Sequence, residues 1–135
     1  MKVHEIMNKK VITCRPTETV LEILNKLKMF KINGMPVINK NKELVGIICR
    51  ADLLRFLPNI QELDKINKED LIKKFKTPIE EVMVKEVVIT NPVDKLEEAV
   101  ELMVEKNVNV LPVVEGKKVV GILSRHDVIK EIIRQ

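Results

Sequence analysis

Apolar positions follow two alternating rhythms along this chain. Short runs rich in β-branched residues, Val11 to Thr13, Met35 to Ile38 and Leu44 to Cys49, predict strands, while Val20, Ile23, Leu24 and Leu27 fall at the i, i+3, i+4, i+7 spacing of a helix that buries one stripe. The order then returns. Val87 to Ile89, Leu111 to Val114 and Val119 to Leu123 predict strands, and Leu96, Ala99, Val100 and Met103 predict the matching helix. Each half closes with a second helix, Arg50 to Leu57 and Arg125 to Ile133. Thr19 with Glu22, and Asp94 with Glu97, are the expected N-terminal caps of the two central helices.

The halves are copies. Met7 aligns with Met83, Pro16 with Pro92, Asn33 with Asn109 and Pro36 with Pro112, and after one residue is dropped in a turn, Gly46, Ile47, Arg50 and Asp52 fall on Gly121, Ile122, Arg125 and Asp127. The fold class is therefore α/β, built from two β-α-β-β-α repeats over 1–57 and 79–135. Either repeat alone is too small to bury its apolar stripe, so the two are expected to share a core. Residues 58–78 have no counterpart in the second repeat and read as a helical linker. A helix capped by Asn67 carries Leu71, Ile72 and Phe75 and stops before Pro78, with Lys68, Lys73, Lys74 and Lys76 on a solvated face.

Composition narrows the class. Of 135 residues, 45% are hydrophobic and 33% charged, the balance of a globular chain, and no run of about eighteen apolar residues or leader peptide is read at the N-terminus. The expectation is a cytoplasmic protein without a membrane span. The net charge is +4, but lysines alternate with glutamates, and aromatics make up 2% of residues with neither Trp nor Tyr, so stacking on bases has little to work with and nucleic acid is disfavoured. Cys14 and Cys49 lack metal-ligand or redox spacing and read as two packed thiols. No P-loop, dinucleotide fingerprint or Ser-His-Asp order is present, so no enzyme is expected.

The candidate chemistry lies at the repeated corner, Gly46-Ile-Ile-Cys-Arg-Ala-Asp52 and Gly121-Ile-Leu-Ser-Arg-His-Asp127. In each copy a strand feeds a helix start, which places an arginine and an aspartate in the first helical turn, where backbone N–H groups favour an anion. An aspartate there can accept both hydroxyls of a ribose. Ser124 and Asp127 also form a capping pair by spacing, so capping and ligand contact are both open for them. Cys49 is a poor cap, and capping accounts for Asp52 less well.

These features make the chain similar to the cystathionine β-synthase (CBS) domain, which occurs in tandem pairs. The resemblance rests on the apolar-Pro-Val strands Met35-Pro36-Val37 and Leu111-Pro112-Val113, the two Gly-apolar-apolar-x-Arg-x-Asp corners, and Met7 and Met83 ahead of them. It implies a stand-alone pair packed sheet against sheet with pseudo-two-fold symmetry, leaving two clefts between the repeats for adenosine-containing ligands. Candidates are AMP, ADP, ATP, S-adenosylmethionine and methylthioadenosine, with no cofactor required. By position, Asp127, Ser124 and Arg125 would serve one cleft, with Met7, Ile12, Ile32, Asn33 and Pro36 around the base. Asp52 and Arg50 would serve the other, with Met83, Val88, Val108, Asn109 and Pro112. The thiol of Cys49 stands where the family has Ser or Thr, and this departure marks the first corner as the weaker phosphate holder.

Three roles are compatible with these residues: a regulatory sensor of an adenosine ligand, a structural dimerisation module with empty clefts, and, less favoured, a nucleic-acid-associated protein. A homodimer is expected from Leu53, Leu54, Leu57, Ile129, Ile132 and Ile133, more apolar residues than one helix face needs for its own core. An effector protein chain would read the signal.

Overall fold

The computed structural model describes residues 1–135 throughout. The elements run α1 (Val20–Phe30), β1 (Gly34–Ile38), β2 (Leu44–Cys49), α2 (Arg50–Phe56), α3 (Ile60–Leu63), α4 (Lys68–Phe75), α5 (Leu96–Lys106), β3 (Val110–Glu115), β4 (Lys118–Ser124) and α6 (Arg125–Arg134), with single 3-10 turns at Val3–Glu5 and Ile79–Glu81. β1 pairs with β2, and β3 pairs antiparallel with β4 from Val110 opposite Ser124 to Glu115 opposite Lys118. Val113 faces Gly121 and Val114 faces Val119, so Val120 is an inserted residue that bends β4.

The first strand expected in each repeat contracts to a single parallel bridge, Cys14 with Val37 and Thr90 with Val113. Cys14 N donates to Pro36 O at 3.1 Å and Ile38 N to Cys14 O at 2.9 Å; Thr90 N donates to Pro112 O at 3.1 Å and Val114 N to Thr90 O at 2.8 Å. Prolines stop the ladder on both sides. The next bonds of a parallel pair would need an N–H from Pro36 or Pro112 in one direction and from Pro16 or Pro92 in the other, and a proline has none.

The caps are only half as expected. Thr19 caps α1 by accepting from Glu22 N at 3.2 Å. The N-cap of α5 is Lys95, and Asp94 instead fastens the turn before it, where Oδ2 accepts from Thr90 Oγ1 and from Asn91 N, both at 2.9 Å. A carboxylate one residue too early for the helix finds nearer donors in the turn.

Two compact units result: one holds Met1–Val11, Asn41–Leu44 and Val87–Gln135, the other Ile12–Lys40 and Val45–Glu86. They are not the two sequence repeats, because each repeat's leading segment packs with the other repeat. Val3, with no exposed surface, lies in the core of Ala99, Met103, Leu111, Val113, Leu123 and Val128. Ile79, its counterpart and equally buried, lies in the core of Val20, Ile23, Leu27, Met35, Val37, Ile48 and Leu53. The backbone repeats the arrangement: Val3 N donates to Asp94 O at 2.9 Å and Ile79 N to Glu18 O at 2.7 Å, while Leu96 N donates to Met1 O and Val20 N to Thr77 O, both at 2.9 Å. The leading segments thereby satisfy the first N–H groups of α5 and α1, orphans that every helix start carries.

α4 is capped by Asn67, which accepts from Asp70 N at 2.8 Å, and Phe75 packs on the core that contains Ile79. Lys74 departs from the expected solvated face. Its Nζ donates to Phe56 O at 3.0 Å and stands 4.5 Å from the Phe56 ring centroid, so its charge sits over an aromatic face.

The repeated glycines of the corners have a steric reason. A Cβ at Gly46 would come within 2.5 Å of Met83 Sδ and 3.0 Å of the Val84 carbonyl oxygen, and a Cβ at Gly121 would meet Met7, with Cγ at 3.0 Å. Each methionine crosses the strand that leads into the opposite repeat's helix, so Met and Gly are conjugate positions. The three atoms nearest to a Cβ at Gly121 all belong to the Met7 side chain, which is flexible and can give way, whereas the backbone carbonyl beside Gly46 cannot. Gly46→Ala is expected to cost about 1 to 3 kcal/mol and Gly121→Ala less. Urea unfolding of the two variants checks the order, and an equal or reversed cost would contradict it.

Candidate functional site

Both corners place an aspartate at the third position of a helix. Ser124 caps α6: its Oγ accepts from Asp127 N at 3.1 Å, and Asp127 Oδ2 accepts from Ser124 N at 3.0 Å and from Ser124 Oγ at 2.8 Å. One carboxylate oxygen is thus fixed and Oδ1 is left without a partner on a half-exposed side chain. Capping and an available acceptor coexist at this corner, since the cap consumes a single oxygen.

Asp52 is placed differently. It is 9% exposed; Oδ2 accepts from Cys49 N at 2.8 Å and Oδ1 from Arg55 Nη2 at 2.5 Å. The sequence reads the poor cap Cys49 as freeing Asp52 for a ligand, but here Asp52 caps the backbone of Cys49 and pairs with the helix's own arginine one turn on. Both oxygens are engaged locally. Burial, then the neighbouring Asp52 carboxylate, pushes the Cys49 thiol up to about 11, and burial followed by Glu18 pushes Cys14 up to about 12. Both stay protonated thiols at neutral pH, poor nucleophiles and weak donors.

The remaining candidates divide between the units. Ser124, Arg125, Asp127 and Met7 share one unit with Val88, Val108, Asn109 and Pro112; Arg50, Asp52 and Met83 share the other with Ile12, Ile32, Asn33 and Pro36. Arg125 N donates to Asn109 O at 2.8 Å and Arg50 N to Asn33 O at 2.7 Å, so each asparagine tethers the corner of its own repeat through its carbonyl. Arg50, Arg125 and both asparagine side chains are exposed, and Pro36 and Pro112 are buried.

Sequence reasoning missed the surroundings of Asp127. A groove of about 540 Å3 is lined by Glu5, Ile6, Asp127, Lys130, Glu131, Ile133 and Arg134. Glu131 is 7% exposed, and its nearest cation is Arg134 Nε at 3.7 Å, beyond hydrogen-bond length. The i, i+3, i+4, i+7 spacing of Asp127, Lys130, Glu131 and Arg134 was the available signal, since it sets all four on one side of α6. Likewise Arg55 stands at i+3 from Asp52, within reach on any helix.

The CBS domain family model matches residues 3–59 and 79–134. The chain belongs to the CBS domain family. Its first CBS repeat carries the Asp52 corner and its second the Asp127 corner. CBSX2 from Arabidopsis thaliana, solved in complex with AMP, is 28% identical with a TM-score of 0.82 over 98% of this chain and 96% of that one. The CBS domain pair of protein MJ0100, in complex with 5'-methylthioadenosine and S-adenosyl-L-methionine, is 25% identical with a TM-score of 0.79 over 98% and 99%. Inosine-5'-monophosphate dehydrogenase of Methanocaldococcus jannaschii is 35% identical over 130 residues, which are 96% of this chain and 23% of that enzyme. Of four curated relatives, the chain spans 92% of one and 62%, 41% and 23% of the others. No helix is long and apolar enough to cross a membrane.

Proposed function

We propose that this CBS pair is a regulatory module, without catalysis of its own, that senses an adenosine-containing ligand and takes its ribose on Asp127. The observation that carries the reading is the state of that carboxylate. Ser124 holds one oxygen and the other is free, on a half-exposed side chain beside a groove large enough for the rest of a nucleoside. A fixed, partly desolvated carboxylate can accept from both hydroxyls of a cis-diol at little cost in side-chain order. The AMP bound by CBSX2 and the adenosyl compounds bound by MJ0100 support that ligand class. Arg125 stands two residues before Asp127 at the start of α6, where an anion is favoured, and supplies the charge for a phosphate.

A thermal-shift screen with AMP, ADP, ATP, S-adenosylmethionine and methylthioadenosine tests the proposal. A ligand at about one hundred times its dissociation constant adds about 2.7 kcal/mol, and the midpoint then rises by several degrees. No shift with any of the five would leave the structural module standing instead.

The signal is read, on this proposal, by a partner chain or through a homodimer. Leu54 is 65%, Ile132 65% and Ile133 78% exposed, more bare aliphatic surface than these helices need for their own cores. Leu53, counted among the interface residues from sequence, is fully buried and belongs to the core, and Leu57 packs half-buried against it. Light scattering is expected to give twice the chain mass, and Ile133→Glu to halve it. A monomer at high concentration would rule out the dimer.

A further inference from the structure

We propose that Arg55 is an intramolecular competitor at the Asp52 corner and is the residue that makes the two corners unequal. The inference rests on the ribose-acceptor reading of these aspartates. The Arg55 guanidinium sits 2.5 Å from Asp52 Oδ1, and the second oxygen is committed to the Cys49 N–H at 2.8 Å. Each of these oxygens can accept a second hydrogen bond, so a ribose reaches the acceptor it would use either by sharing Oδ1 with the arginine or by displacing it. α2 has only seven residues, so its dipole offers little compensation and the carboxylate must carry the hold. In the second repeat Lys130 occupies the place of Arg55, and no ion pair joins it to Asp127. A lysine is a flexible point charge, whereas the arginine's planar fork matches a carboxylate, so this exchange, beside Cys49 in the place of Ser124, sets a contested acceptor against an open one.

The competition is bounded by exposure. The arginine side chain is 72% exposed against 9% for the aspartate, so the pair is screened on one side and the ligand's penalty is modest. Its magnitude corresponds to about a 3- to 5-fold loss of affinity. Because the competitor is an ion pair, its hold weakens as salt rises. An uncharged ligand carries no salt dependence of its own, which isolates this effect.

Calorimetry with adenosine is the test, with Asp127→Ala as the background so that only the Asp52 corner reports. Adding Arg55→Met, which keeps the aliphatic stem, is expected to tighten adenosine about 3- to 5-fold, with Arg55→Lys between the two. In the Asp127→Ala protein, adenosine affinity should rise between 0.05 and 0.5 M salt, and Arg55→Met should abolish the rise. Equal or weaker binding in the Arg55→Met protein at an unchanged melting temperature, or an absent salt response, overturns the proposal. If the unsubstituted chain binds adenosine but the Asp127→Ala proteins do not with any residue at position 55, the competitor role is wrong and the ribose reading of Asp127 stands. If the unsubstituted chain binds no adenosine compound, the reading itself fails and this inference falls with it.

Discussion

Asp127→Ala is expected to weaken binding of AMP by about 10- to 100-fold, the loss of about 1.5 to 3 kcal/mol of charge-assisted hydrogen bonding to the ribose hydroxyls. The same change removes half of the α6 cap, in which Asp127 accepts from Ser124 N and Oγ, at about 1 kcal/mol of stability. Asp52→Ala should show the opposite balance. That carboxylate is nearly buried and engaged by Cys49 N and Arg55, so its removal leaves a backbone N–H and a guanidinium without their partner, while AMP binding changes much less. Titration calorimetry and thermal melting on both variants separate the two effects. Equal losses of AMP affinity, or no loss from Asp127→Ala in a protein that still folds, would reduce the repeated aspartate to a helix cap.

The fragment Met1 to Leu57, one whole sequence repeat, is expected to be unfolded and to aggregate. It contains α1, β1, β2 and α2 but lacks Ile79, which is fully buried among them, together with Phe75, Val82 and Met83 that pack around it. Deleting a buried isoleucine down to alanine costs about 2 to 5 kcal/mol, and the fragment loses the whole segment, against a typical total of about 5 to 15 kcal/mol. It also carries Val3, whose core lies in the other unit, as exposed apolar surface. A fragment spanning residues 12–86 keeps that core cluster entire and should melt more cooperatively than 1–57. A monomeric 1–57 fragment with a sharp thermal transition would refute the exchange of leading segments as a stabilising feature.

Much of the architecture was legible from local pattern. The stripe of Val20, Ile23 and Leu27, the caps at Thr19, Asn67 and Ser124, and the paired strands around Pro36 and Pro112 follow from periodicity and side-chain chemistry acting over a few residues. The Gly-x-x-x-Arg-x-Asp corner was legible because it is repeated, and duplication turns a short motif into a pattern. The misjudged points lie where a neighbour distant in sequence, or a competing local donor, decides. Asp94 bonds to Thr90 and Asn91 rather than to the helix, and Leu53 turns inward although its helix also carries the exposed Leu54.

By itself the sequence determined the repeat, the kind and order of its elements, and the residue types able to hold a ribose, since these depend on composition and spacing along one stretch of chain. Tertiary structure alone decided that Val3 and Ile79 each complete the other repeat's core, because nothing in a pattern of apolar residues says which of two similar surfaces a segment covers. It also decided that Asp127 keeps a free oxygen while Asp52 does not. That difference turns on whether a cation one helical turn away forms a close pair with the carboxylate, as Arg55 does and Lys130 does not, and such a choice is made by packing and geometry rather than by spacing.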